Sequence, residues 1–164
     1  MKYCHTTTSG QTVCSTYPVC LEEFNVVIVR EGYVGAIPFF TNSEEVINCD
    51  TLEIEISKAA GNPALNSSMD VAFGISDTNN AELVLVEIRL NYTNPNNVSS
   101  SKLFQKVNGT ILAINPNVPI HNQIIFLFDT SVKAEARNRL ARMDPKVPSS
   151  FVVMDLPELK AIYF

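Results

Sequence analysis

Apolar and polar positions along the chain divide it into short blocks with distinct periods. Residues 24–40, FNVVIVREGYVGAIPFF, form a β-branched and aromatic run broken by Gly32 and Gly35, which predicts two strands joined by a turn. Thr41-Asn42-Ser43-Glu44 then has the form of a capping box, so a helix is expected to begin there. In TLEIEIS, Leu52, Ile54 and Ile56 alternate with Glu53 and Glu55, as in a half-buried strand, although the same residues could finish a helix. The reading adopted is a short helix followed by a strand.

Further along, MDVAFGIS (69–76) and AELVLVEIRLNY (81–92) flank Asp77-Thr78-Asn79-Asn80, a turn-forming group that predicts a β-hairpin. SSSKLFQKVNGTILAI follows, with Leu103, Phe104, Val107, Ile111 and Ile114 at helical spacing behind a serine cap. Beyond Pro116 and Pro119 come an apolar strand, QIIFLFD, a helix, SVKAEARNRLARM, and a strand, FVVMDL. This succession predicts an α/β fold, a central mixed β-sheet flanked by helices. The Cys- and Thr-rich stretch 1–23 reads as an N-terminal leader, and 24–164 as a single α/β domain.

A length of 164 residues with 46% hydrophobic and 18% charged side chains suits one globular domain with a buried core. With no run of roughly 20 apolar residues and no signal-peptide pattern at the start, a cytoplasmic protein without membrane contact is expected. The net charge of -5 is a poor global footprint for nucleic-acid binding, though Arg137, Arg139, Arg142 and Lys146 make one local basic cluster. The run Lys133–Arg142 reads as a solvated helix face, and His121 as a loop residue after Pro119. Cys4, Cys14 and Cys20 are separated by nine and five residues, not by the close spacing of a structural zinc site, so they are expected as free or buried thiols rather than zinc ligands.

The chemistry lies in the hairpin. A four-residue loop at 77–80 makes opposed positions sum to 157 and sets Asp70 against Glu87; a two-residue loop at Asn79-Asn80 makes the sum 159 and sets Asp70 against Arg89. Either register places Asp70, Glu87 and Arg89 on one face, because side chains alternate with period two. Ala72 and Gly74 share that face and leave room beside the carboxylates, while Val71, Phe73, Ile75, Val84, Val86, Ile88 and Leu90 point the other way into a core. Two carboxylates about 5 Å apart repel unless a cation sits with them. That cation is either magnesium or manganese held by Asp70 and Glu87, or Arg89 in a self-satisfied ion-pair cluster.

Asp70, then Glu87-Ile88-Arg89 after a hairpin, then a helix with Lys102, Gln105 and Lys106, then the strand at 123–128, resembles the PD-(D/E)xK, or restriction-endonuclease-like, nuclease superfamily. The resemblance spans residues 42–128 and lies in element order and motif spacing. It implies an αβββαβ core and a metal-dependent nuclease in which Asp70 and Glu87 bind magnesium or manganese. Arg89 stands at the lysine position, Glu44 or Glu45 is the helix acid, and Lys102, Gln105 and Lys106 face the substrate backbone. Met69 replaces the motif proline. Arg89 cannot lose its proton at cellular pH, so it can orient water or phosphate but cannot be a base; Lys58 or Lys106 could supply what it lacks. The partner implied is DNA or RNA. The alternative is a catalytically inactive binding protein on the same fold, of immunity or inhibitor type, with a protein partner and Asp70-Arg89-Glu87 as a salt-bridge cluster. Homodimerisation is open under either reading.

Overall fold

In the computed structural model, which describes residues 1–41, 44–62 and 64–164 (residue 97 by its backbone alone), the chain forms β1 (Lys2–Tyr3), α1 (His5–Ser9), α2 (Thr12–Thr16), β2 (Leu21–Glu23), α3 (Phe24–Arg30), β3 (Glu45–Asn48), α4 (Cys49–Ala60), β4 (Val71–Ser76), β5 (Ala81–Arg89), α5 (Ser100–Ile114), β6 (Ile120–Phe128), α6 (Lys133–Ala141), β7 (Phe151–Met154) and α7 (Leu156–Tyr163). The strands make one seven-stranded mixed sheet in the order β2-β3-β4-β5-β6-β7, with β1 also paired to β4. Neighbours from β2 to β5 are antiparallel, whereas β6 and β7 are added in parallel after the α5 and α6 crossovers. Among the described residues no helix is long and apolar enough to cross a membrane.

Both faces of the sheet are buried. One core gathers Ala72, Leu83, Leu85 and Phe126 from the strands with Leu52 of α4, Leu103 and Val107 of α5 and Leu140 of α6. The other gathers Val71, Phe73, Val84, Val86 and Leu127 with Phe24 and Ile28 of α3 and Leu159 of α7. The apolar face expected of the hairpin is therefore a core, and the face carrying the charges is a second one. Near-continuous apolar strands are what a sheet covered on both sides requires.

The hairpin takes the 157 register, from Val71 opposite Val86 to Ser76 opposite Ala81. Its loop is set by Asp77, whose carboxylate accepts from the backbone N–H of Asn79 and Asn80, both at 2.9 Å. The room expected at Gly74 is filled. A Cβ there would stand 2.5 Å from Thr7 Cβ and 2.6 Å from Thr8 N, and the Gly74 N–H donates to Thr8 Oγ1 at 2.8 Å. Thus the small residue admits α1, not a ligand.

Three expectations are overturned. Residues 24–30 form helix α3, not a strand: Phe24, Val27 and Ile28, spaced as one helical face, are buried while Val26 and Val29 are 48% and 47% exposed. Burying those three is worth about 1.5–3 kcal/mol each, more than the few tenths that β-branched residues lose in a helix. In the next block the order is strand then helix. Glu45–Asn48 is β3, and α4 starts at Cys49 behind Asn48, whose side chain accepts from Thr51 N at 2.9 Å. TLEIEIS is therefore helical, with Leu52 buried and Ile54 40% exposed; of the anticipated capping box, Asn42 and Ser43 lie outside the described residues. His121 is in β6, not a loop, with Nδ1 2.5 Å from Glu82 Oε2.

The segment read as a leader supplies β1, α1, α2 and β2 to the same sheet and cores. Cys14, Cys20 and Cys49 are buried and Cys4 is partly buried, all four free thiols. Burial, then the charges of Asp50 and Asp70, pushes the Cys49 pKa up, and the hydrogen bond with Cys20, then burial, pushes up that of Cys14, so these behave as apolar core residues.

Candidate functional site

Asp70 precedes β4 and Glu87 and Arg89 close β5, so the antiparallel hairpin brings all three to one end of the sheet. The β5–α5–β6 crossover then lays α5 across the same face, with Leu103 and Val107 buried on either side of Lys106. Lys106 Nζ donates to Glu87 Oε1 at 2.7 Å and Oε2 at 2.9 Å and lies 3.6 Å from Asp70 Oδ1. A carboxylate, a second carboxylate and an ammonium thus converge from three elements.

Glu87 is fully buried, and the Arg89 guanidinium also reaches its Oε1. Arg89 is itself held: Nη1 donates to Tyr92 OH at 2.7 Å, and the guanidinium carbon lies 4.7 Å from the Tyr92 ring centroid. Asp70 Oδ2 accepts from Ile88 N at 2.5 Å, which turns its other oxygen towards Lys106. Burial, and then the charge of Asp70, raises the Glu87 carboxyl to about 7, against the pull of Lys106 and Arg89. Burial likewise raises Asp70, opposed by Lys106 and the Ile88 N–H. Burial opposes the Lys106 charge, but Asp70 and Glu87 outweigh it and raise its pKa, so the amine stays protonated at neutral pH.

Beside Asp70 a cavity of about 190 Å³ opens between the end of α3 and the start of α4, lined by Glu31, Asp50, Asn48 and Thr51 among others. Asp50 accepts from Ser68 Oγ at 2.8 Å. The Glu31 carboxyl is raised by burial and then by the negative charges of Asp70 and Asp50. Arg30 also lines the cavity but is paired with Glu22, and the carboxylates are hard oxygen donors that repel one another, which suits a divalent cation. Among the described residues no three His, Cys, Asp or Glu side chains converge closely enough as they stand to hold one.

Other candidates lie elsewhere. Glu45 is in β3 rather than a helix, and its carboxylate pairs with His5 Nε2 at 2.8 Å, so it does not complete the Asp70 site. Glu31 and Asp50 are the carboxylates that line the cavity beside Asp70, and no local pattern singles them out, because Glu31 ends a helix that reads as a strand. Lys102 and Gln105 are exposed on α5. Lys58 pairs with Glu55 at 2.7 Å on the exposed side of α4. Of the late basic cluster, Arg137 is bound to Glu158 at 3.0 Å and to the Val153 carbonyl at 3.2 Å. Comparisons with protein-family models, curated proteins and solved structures found no match.

Proposed function

We propose that the chain is a divergent metal-dependent phosphodiesterase acting on nucleic acid, with Asp70, Glu87 and Lys106 at its centre. The observation that carries this reading is the arrival of Lys106 from α5 at the hairpin carboxylates, where the strand position itself holds arginine. The order α3, β3, β4, β5, α5, β6 supports it by following the αβββαβ succession that the motif resemblance implies, with α4 interrupting it and its first helix, α3, standing before the 42–128 stretch that carries the resemblance.

Asp70, with Glu31 and Asp50 across the small cavity, would hold magnesium or manganese. Such an ion supplies a bound water of lowered pKa and charge stabilisation at the phosphorus. Lys106, kept protonated, acts as a fixed cation for developing negative charge and not as a base. Arg89 positions Glu87, to which it is paired, and is itself held by Tyr92.

A second reading, an inactive binding protein with a protein partner, is favoured by the double neutralisation of Glu87, which leaves that carboxylate satisfied without a metal. The two readings separate in a cleavage assay on plasmid and single-stranded nucleic acid with magnesium or manganese, run beside calorimetric metal titration. The phosphodiesterase reading expects cleavage that falls by roughly 100-fold or more in Asp70→Asn and Lys106→Met. Cleavage untouched by both substitutions, or no cleavage and no metal uptake, rejects it.

A further inference from the structure

A larger cavity, about 380 Å³, lies at the carboxyl ends of β5, β6 and β7, where open α/β sheets commonly receive ligands. Its walls are apolar rings and side chains: Tyr33 and Phe39, packed edge to face with centroids 5.4 Å apart, then Leu90, Phe128 and Leu156. Leu90 directly follows Arg89 but packs with Tyr33, Phe39 and Leu156 on the opposite core, so the cavity lies at the same end of the sheet as the Asp70–Lys106 centre, largely on the other face. The loop that closes it is pinned. Asn25 Oδ1 accepts from Phe39 N at 2.9 Å and Phe40 N at 3.0 Å, and Lys160 Nζ donates to the Phe39 carbonyl at 2.6 Å. Gly32 gives the loop its start: its φ of 101° is a left-handed conformation, and a Cβ there would meet Asn91 Cβ at 2.7 Å.

The acceptors of this cavity are its carboxylates, Asp129 and Asp155, while the Tyr33 hydroxyl donates to the Ala36 carbonyl at 3.4 Å. Asp129 uses Oδ1 to accept from Ser131 N at 2.9 Å and Ser131 Oγ at 2.6 Å, bonds that hold its pKa below the usual range, while among the described residues no hydrogen bond reaches Oδ2. Asp155 is buried and accepts from Lys133 Nζ at 2.6 Å, Thr130 Oγ1 at 3.1 Å and Glu158 N at 3.0 Å. Lys133 also pairs with Glu158 at 3.0 Å, so its charge is balanced inside this network. The ionised carboxylate at the rim repels phosphate, even though the start of α7 borders the cavity and Lys160, spent on the Phe39 carbonyl, lies 5.1 Å from the Phe39 ring centroid. It suits instead a flat ring that stacks against aromatic walls and directs two adjacent N–H donors at the open Oδ2 of Asp129.

Among the nucleobases, guanine presents that pair, N1–H beside the N2 amino group. We propose that the cavity bounded by Tyr33, Phe39, Phe128 and Asp129 is a guanine-binding pocket. Proteins read unstacked bases in single strands by such stacking and edge bonding. Its service to a nucleic-acid substrate rests on the phosphodiesterase reading; the binding of the base does not.

The test is calorimetric titration of the full chain with guanosine and with adenosine, nucleosides that lack phosphate and are independent of metal or cleavage. Guanosine is expected to bind, with adenosine roughly ten-fold or more weaker because it lacks the paired donors. Asp129→Asn keeps an oxygen for Ser131 but turns an acceptor into an amide and is expected to weaken guanosine by roughly ten-fold. Tyr33→Leu removes one ring from a half-buried loop residue and gives a second test should Asp129→Asn shift the melting curve. No saturation by guanosine, equal affinity for adenosine, or indifference to both substitutions overturns the pocket. A chain that cleaves with metal yet ignores guanosine loses only the pocket. One that binds guanosine and cleaves nothing keeps the pocket and loses the phosphodiesterase.

Discussion

Replacing Lys106 by methionine removes a cation that touches both hairpin carboxylates while keeping the apolar stem that packs along α5. Removing one partner of a buried ion pair costs about 3–5 kcal/mol when nothing else neutralises the charge left behind. Arg89 stays on the fully buried Glu87, so the lower end applies, about 3 kcal/mol at pH 8, or ~6–12 °C in Tm for a chain of this size. The loss should depend on pH, and the sign follows from the carboxyls. Both have folded pKa values above the ordinary range, Glu87 at about 7 from 4.5. Such a group favours the fold fully below its unfolded value and loses that contribution as pH rises through its folded value. Lys106 pulls both values down, so without it they rise further, and the variant regains stability as the carboxyls take up protons. Urea unfolding of the wild type and Lys106→Met at pH 8 and pH 5.5 measures this directly. A deficit under about 1 kcal/mol at pH 8, or one equal at the two pH values, would refute a buried, charge-coupled cluster.

Two other substitutions probe the frame around the site. Gly74→Ala forces a Cβ into the backbone of α1, and thermal unfolding should show a loss of about 1–3 kcal/mol, with faster hydrogen exchange over Cys4–Gly10; unchanged stability would mean α1 does not rest on β4. Asp155→Ala removes the α7 cap and the acceptor of Lys133 and should cost about 2 kcal/mol or more at neutral pH. Lys133 and the Glu158 N–H outweigh burial and keep the Asp155 pKa low, so the wild-type advantage should persist above its ordinary value of 3.8 and fade as pH falls below it. An advantage that vanishes already at pH 6 contradicts the placement.

The part of the site legible in the sequence is the part fixed by local rules. Asp77-Thr78-Asn79-Asn80 is a turn whose side chain satisfies its own backbone, and period-two alternation then determines that Asp70, Glu87 and Arg89 share a face, whichever register is taken. The helix over 100–114, the 123–128 part of β6, the strand at 151–154 and the helix over 133–141 follow from their own periods, and with them the α/β class. Asp155 and Glu158, with Pro157 between them, likewise form by a local rule the capping box that starts α7.

Tertiary packing decided the rest. FNVVIVR has the composition of a strand but is a helix, because Phe24, Val27 and Ile28 bury more against the sheet than β propensity is worth. That helix carries Glu31 to Asp70, a proximity no spacing encodes. Lys106 stands in the sequence as one of two lysines, with Lys58, that could supply what Arg89 lacks, and only the crossover between β5 and β6 lays α5 over the hairpin and brings its amine to Glu87. Register along a strand depends on neighbours a few residues away, whereas the approach of a helix to a sheet depends on which apolar faces in the whole chain must be covered. The sequence by itself therefore determined where the carboxylates stand, and the packing of α3 and α5 determined what stands with them.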